Sequence, residues 1–134
     1  MKIEEQVLSR EQMKHLQELG VDTSDASMCW LRYDADGEVK YYASSNRSKC
    51  ASCPTYTVGD LIEKLPKHIN SCNDNRLVIE EDEYLDYWWV VYKNFYEDAE
   101  SDYFDSKSLL TALYNLLCWV AEFHKELLKE SNNA

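Results

Sequence analysis

Residues 85–93 set Leu85, Tyr87, Trp89 and Val91 on one face of an extended strand, and Asp86, Trp88, Val90 and Tyr92 on the other. Both faces are largely apolar. Such a strand suits the centre of a sheet, or a position whose outer face meets a partner. The surroundings sharpen the constraint. Residues 80–105 hold ten acids (Glu80, Glu81, Asp82, Glu83, Asp86, Glu97, Asp98, Glu100, Asp102, Asp105) against one base, Lys93, so −9 of the chain's net −11 sits here. Nine of the 17 aromatic residues lie in the same stretch. A surface framed this way repels nucleic acid and anionic membranes and attracts basic partners.

Around this strand the remaining elements are predicted from caps and periodicity. Ser9 with Gln12 forms a capping-box pattern, Met13, Leu16 and Leu19 continue the helix, and Gly20 suits its C′ stop. Residues 28–33 and 38–43 are β-rich and joined by Asp34-Ala35-Asp36-Gly37, where Asp-Gly is a hairpin-turn signal. Thr57 caps a short helix to about Leu65, with Asp60 in its first turn and Pro66 at its end. Residues 76–80 and 85–93 form a second strand pair. Leu109, Leu113, Leu116, Leu117, Val120, Phe123 and Leu127 follow helical spacing behind a cap at Asp105 or Ser106. Leu110, Tyr114, Cys118 and Trp119 widen that apolar arc, so the last helix is deeply buried or offers a route to homo-oligomers.

The expected fold is therefore α+β, a single domain over residues 1–134 ordered α-β-β-α-β-β-α, with an antiparallel sheet and helices packed on one side. Residues 1–8 and 129–134 are expected to fray. A chain of 134 residues with 45% hydrophobic content can bury one core without staples. Residues 1–6 are charged and no apolar run follows, so no export signal and a cytoplasmic setting with reduced thiols are expected. The longest apolar stretch, residues 109–120, is interrupted by Thr111 and Asn115 and too short to span a bilayer.

Three stretches carry a family resemblance. They are Glu11-Gln12-Met13-Lys14 through Gly20-Val21-Asp22, then Tyr56-Thr57-Val58-Gly59-Asp60-Leu61-Ile62-Glu63-Lys64-Leu65-Pro66-Lys67, and Leu109-Leu110-Thr111-Ala112-Leu113-Tyr114 through Cys118-Trp119. In this order and spacing the chain resembles small uncharacterised proteins carried by prophages and mobile elements of gut Bacteroidetes. The resemblance implies a bacterial cytoplasm and an accessory role, and it brings no catalytic residues.

Two constellations carry chemistry. Cys50 and Cys53 form a C-x2-C, and His68 and Cys72 an H-x3-C; together they are a candidate four-ligand zinc set, although a capped helix and Pro66 lie between the clips. The bland alternative is ordinary loop cysteines. The second constellation is the acidic, aromatic stretch. Glu81, Glu83, Asp86, Trp88 and Tyr92, extended by Glu97, Asp98 and Asp102, are the candidate partner-binding residues: aromatics would bury area while carboxylates steer a basic protein. Solvated charges that keep a sticky strand soluble are the competing reading. With three glycines there is no phosphate-cradling loop, and no nucleophile is identified beside His15, His68 or His124. A non-enzymatic protein-binding module is the leading expectation, a zinc-stabilised module the second, a small enzyme the third.

Overall fold

The computed structural model describes residues 2–45, 53–69, 75–94, 99–100 and 104–128. Helix α1 (Arg10–Glu18) begins where the Ser9 hydroxyl accepts from the Gln12 amide while the Gln12 side chain accepts from Ser9 N–H. It ends on Gly20 at φ +90°. The left-handed backbone angle is what calls for glycine here; the Lys125 ammonium end that lies against Gly20 belongs to a flexible side chain and could swing away from a Cβ.

Strands β1 (Met28–Ala35) and β2 (Glu38–Ser44) pair with Ala35 opposite Glu38. The two residues between them, Asp36 and Gly37, have φ of 52° and 78°, the signature of a type I′ turn. A short strand β3 (Pro54–Thr55) pairs with the start of β1, giving a three-stranded sheet ordered β2-β1-β3. Helix α2 (Val58–Lys64) follows a second reciprocal box between Thr57 and Asp60. Its C-cap Leu65 is extended, as a residue before proline must be.

The second sheet is built on β5 (Asn75–Asp82) and β6 (Tyr87–Asn94). Strand β4 (His68–Ile69) adds to β5, and β7 (Ala99–Glu100) and β8 (Phe104–Ser106) both pair with β6, all antiparallel. β6 is central, paired on both edges; its Val90 and Tyr92 face is fully buried, while Tyr87 and Trp89 on the other face are half-buried. Helix α3 (Leu109–Phe123), capped by Ser108, packs across this sheet. The α+β class with antiparallel pairing is observed, with two sheets in place of the expected one and four short strands added to the two hairpins.

The main core draws on α1, α2, α3 and β6: Leu16, Leu61, Leu65, Val90, Tyr92, Leu113, Leu116, Leu117 and Val120 are fully buried. A satellite cluster of Val7, Met28, Ala43 and half-buried Trp30 supports the first sheet. The N-terminal residues do not fray as a unit. Leu8 has no exposed surface, its N–H donates to Tyr56 O, and its carbonyl accepts from Trp30 Nε1 at 2.9 Å and Thr55 Oγ1 at 2.6 Å. That carbonyl ties the N-terminal segment to two neighbouring strands of the first sheet, β1 and β3. Residues 129–134 lie outside the described residues.

Candidate protein-binding site

The β5–β6 register sets Glu80 opposite Trp89, Glu81 opposite Trp88 and Asp82 opposite Tyr87. Residues 83–86 make the turn. Asp82 organises it: its Oδ1 accepts from Tyr84 N at 3.0 Å and Leu85 N at 3.1 Å, while its carbonyl accepts from Asp86 N at 2.9 Å. Asp86 then takes a left-handed φ of 57°, which aspartate tolerates better than most residues. The consequence is at the tip. Tyr84 is 97% exposed and Leu85 60% exposed, flanked by the exposed carboxylates of Glu80, Glu81, Glu83 and Asp86.

None of these four carboxylates, nor Asp82, is in an ion pair among the described residues. The bases of this hairpin, Arg76 and Lys93, face one another at its opposite end. Five residues of strand separate them from Glu81, about 16 Å at the rise of a β-strand. Beyond one Debye length at physiological salt, little of that positive charge reaches the tip. Beside the tip, Glu80, Glu81, Asp82, Glu83, Tyr84 and Trp89 line an open concavity of about 370 Å³.

The structure divides the aromatic residues expected at this surface. Tyr92 belongs to the core: it has no exposed surface, and its hydroxyl donates to Pro66 O at 2.7 Å. Burial holds that hydroxyl well above the ordinary tyrosine range. Tyr92 is therefore removed from the partner surface, because it lies on the β6 face covered by α3. Trp88 shares that face nearer the tip. It is half-buried and lines a cavity of about 530 Å³ with Val58, Leu109, Leu110 and Lys107. With no nine-tenths-buried polar side chain among its lining residues, this cavity offers burial without directional recognition. Glu81, Glu83 and Asp86 are exposed at the tip, Asp86 in the turn and not in the strand expected for it, whereas Glu97, Asp98 and Asp102 lie outside the described residues. Tyr84 and Leu85 are the exposed tip residues that sequence reasoning did not single out; Leu85 reads as strand by alternation. The available signal was Asp82, an Asx-turn former placed two residues before Tyr84.

Of the four candidate zinc ligands, Cys50 and Cys72 lie outside the described residues. Cys53 adjoins β3 in the first sheet, its carbonyl accepting from Trp30 N at 2.8 Å, whereas His68 is exposed on β4 in the second sheet. Among the described residues no group of His, Cys, Asp and Glu is arranged to hold a metal. Cys29 is disulfide-bonded to a partner outside the described residues, which corrects the expectation of uniformly reduced thiols. Cys118 is a thiol pushed up by burial, so it carries little of the thiolate that a nucleophile needs.

A buried polar network was not foreseen. Lys64, 2% exposed, reaches Asp25 Oδ2 at 3.0 Å and Asp22 O at 2.9 Å, and the Tyr56 hydroxyl donates to Asp25 Oδ1 at 2.6 Å. Burial first, and the Asp25 hydrogen bond second, hold Tyr56 neutral far above its ordinary range. An ammonium locked to a carboxylate and a carbonyl ties α2 to the connection after α1; it is a structural bridge. The wide apolar arc of α3 is also mostly consumed internally. Leu109, Leu110, Tyr114, Cys118 and Trp119 pack against the core, leaving Phe123 as the large apolar side chain of α3 that is exposed and Leu127 just beyond it. Among the described residues no helix is long and apolar enough to cross a membrane.

Compared with known proteins, the chain matches no family model, no curated protein and no solved structure.

Proposed function

We propose that this protein is a non-enzymatic binding module whose contact surface is the β5–β6 hairpin tip and whose partner is a basic protein. The observation that carries the reading is the exposure of Tyr84 and Leu85 amid carboxylates that have no basic partner among the described residues. The apolar pair supplies area to bury, and the carboxylates supply steering and orientation. The same charges disfavour nucleic acid as a direct ligand.

An accessory role in a bacterial prophage or mobile element is part of the proposal and rests on the resemblance of residues 11–22, 56–67 and 109–119. The expected cytoplasmic setting would keep the thiols reduced, while the Cys29 disulfide favours oxidising surroundings. Thiol titration of unfolded native protein separates the two: five reactive thiols mean a reduced chain, fewer mean the disulfide is present.

The functional test is a pull-down from bacterial lysate with wild-type bait and two variants. One neutralises the tip (Glu81→Gln, Glu83→Gln, Asp86→Asn) and the other truncates Tyr84 and Leu85 to alanine. Expected is a basic protein captured by wild type at low salt, released at high salt, and lost with both variants while their circular dichroism is unchanged. Capture that survives both variants would overturn the assignment of this surface.

A further inference from the structure

The first sheet leaves β2 at its edge. Because the β1–β2 turn has two residues, Ala35 and Glu38 form a hydrogen-bonded pair, and the pattern alternates from there. Residues 38, 40, 42 and 44 direct their backbone groups to β1. The far side of β1 agrees with this parity, since even-numbered Trp30 donates its N–H away from β2, to Cys53 O. Val39, Tyr41 and Ala43 therefore aim N–H and C=O outward, and none of these groups meets a backbone partner among the described residues.

Edges like this are normally blunted by proline, a bulge or a covering segment. Strand β2 has seven residues with continuous register, contains no proline or glycine, and keeps Val39 48% and Tyr42 42% exposed; the short turn Ile3–Glu5 packs against the strand and Ala43 near its far end is buried, so Glu38 to Tyr42 is its open part. Its charge also differs from the rest of the molecule. Arg32, Lys40 and the Arg10 guanidinium stacked 3.8 Å over the Tyr41 ring balance Asp34, Asp36 and Glu38, three against three. In a chain of net charge −11, two copies repel across most orientations, and this neutral end is where they can meet.

We propose that β2 pairs antiparallel with β2 of a second copy, joining two three-stranded sheets into one. The register that uses the whole strand is centred on Tyr41. It sets Tyr41 opposite its counterpart, Val39 opposite Ala43, Lys40 opposite Tyr42 and Glu38 opposite Ser44. Each Lys40 ammonium then lies beside a Tyr42 ring, a cation–π pairing. Sliding so that the two Lys40 residues face one another places like charges opposite, which cross-strand pairing disfavours.

The test is sedimentation of the full chain over a wide dilution series, with amide hydrogen exchange read at low and high concentration. Expected is a mass rising from 15.8 kDa toward twice that value, with the amides of Val39 and Tyr41 gaining protection as it rises. Tyr41→Pro removes an outward N–H and no hydrogen bond within the hairpin, so it should weaken the dimer at least about tenfold. Tyr41→Phe should leave the dimer intact. A monomer at every concentration overturns the proposal and leaves the edge to a strand from another protein. A dimer in which the Val39 and Tyr41 amides exchange freely overturns it too, because the interface would then lie elsewhere.

Discussion

The two long hairpins obey the same local rules and meet different fates. β1–β2 turns on two residues, is electrically balanced once Arg10 is included, and rests on a satellite cluster of three buried side chains and Trp30. β5–β6 turns on four, carries unpaired acid at its tip, and runs its second strand through the centre of a sheet beneath α3. One hairpin keeps an open edge and the other an open tip. What separates them is the neighbour each received: β6 gained strands on both sides and a helix on one face, so none of its residues is fully exposed and the most exposed apolar side chains of its hairpin lie in the turn.

That contrast predicts unequal sensitivity to truncation. Tyr92→Ala removes a fully buried ring and leaves Pro66 O without its donor, so it should cost about 3–5 kcal/mol. Trp30→Ala, half-buried over the satellite cluster, should cost about half of that. Chemical denaturation of both variants checks the ratio; equal losses would mean that the satellite cluster is as important as the main core.

Charge pairs should divide the same way. Asp25→Ala removes the carboxylate from a buried Lys64 ammonium and the Tyr56 hydroxyl, leaving both with the Asp22 carbonyl, and a loss of about 3 kcal/mol is expected. Asp34→Ala breaks the Arg32–Asp34 pair on the first hairpin, whose side chains are 61% and 72% exposed, and should change stability by no more than about 0.5 kcal/mol. Equilibrium unfolding midpoints at low and high salt measure both.

How much of this was legible beforehand follows from range. The Ser9–Gln12 and Thr57–Asp60 boxes, the Asp36-Gly37 turn and the α3 periodicity are written within a few residues, and each appears in the structure. β3, β4, β7 and β8 have two or three residues each, too few for a pattern, and exist because a longer strand lies beside them. The burial of Leu8 depends on donors 22 and 47 residues away, and that of Lys64 on an aspartate 39 residues away. At the candidate site the carboxylates were legible as composition. The fates of Tyr92 and Leu85 were not, because the position of the turn, which the backbone amides donating to the Asp82 carboxylate decide, fixed one inside and the other outside.

The buried tyrosines add a dependence on pH. Tyr92 and Tyr56 are both raised above the unfolded value of about 10. Below about pH 10 the two states bind the same phenolic protons, and their contribution to stability is fully present. Above it the unfolded chain releases protons that the native state retains, so stability falls by about 1.4 kcal/mol per pH unit for each group. Tyr92→Phe should flatten this alkaline loss while sacrificing the bond to Pro66, about 1 kcal/mol at neutral pH. Urea midpoints measured at about pH 8 and about pH 11 test the sign.

The smallest expected difference lies in the turns themselves. Gly37, at φ +78°, has open space around a prospective Cβ, so Gly37→Ala suffers the left-handed backbone penalty alone, about 1 kcal/mol. Asp86 already occupies the left-handed region at φ 57° with a side chain present, so Asp86→Gly relieves strain there while loosening the unfolded chain. Those two effects oppose, and the net change should stay within about 0.5 kcal/mol. Urea midpoints of the two variants compare the turns directly. A large loss in Asp86→Gly would mean that the Asp86 side chain holds the tip in shape, and the pull-down would then need a Glu81→Gln, Glu83→Gln variant that keeps Asp86, beside the triple one, to separate lost charge from a lost Tyr84–Leu85 surface.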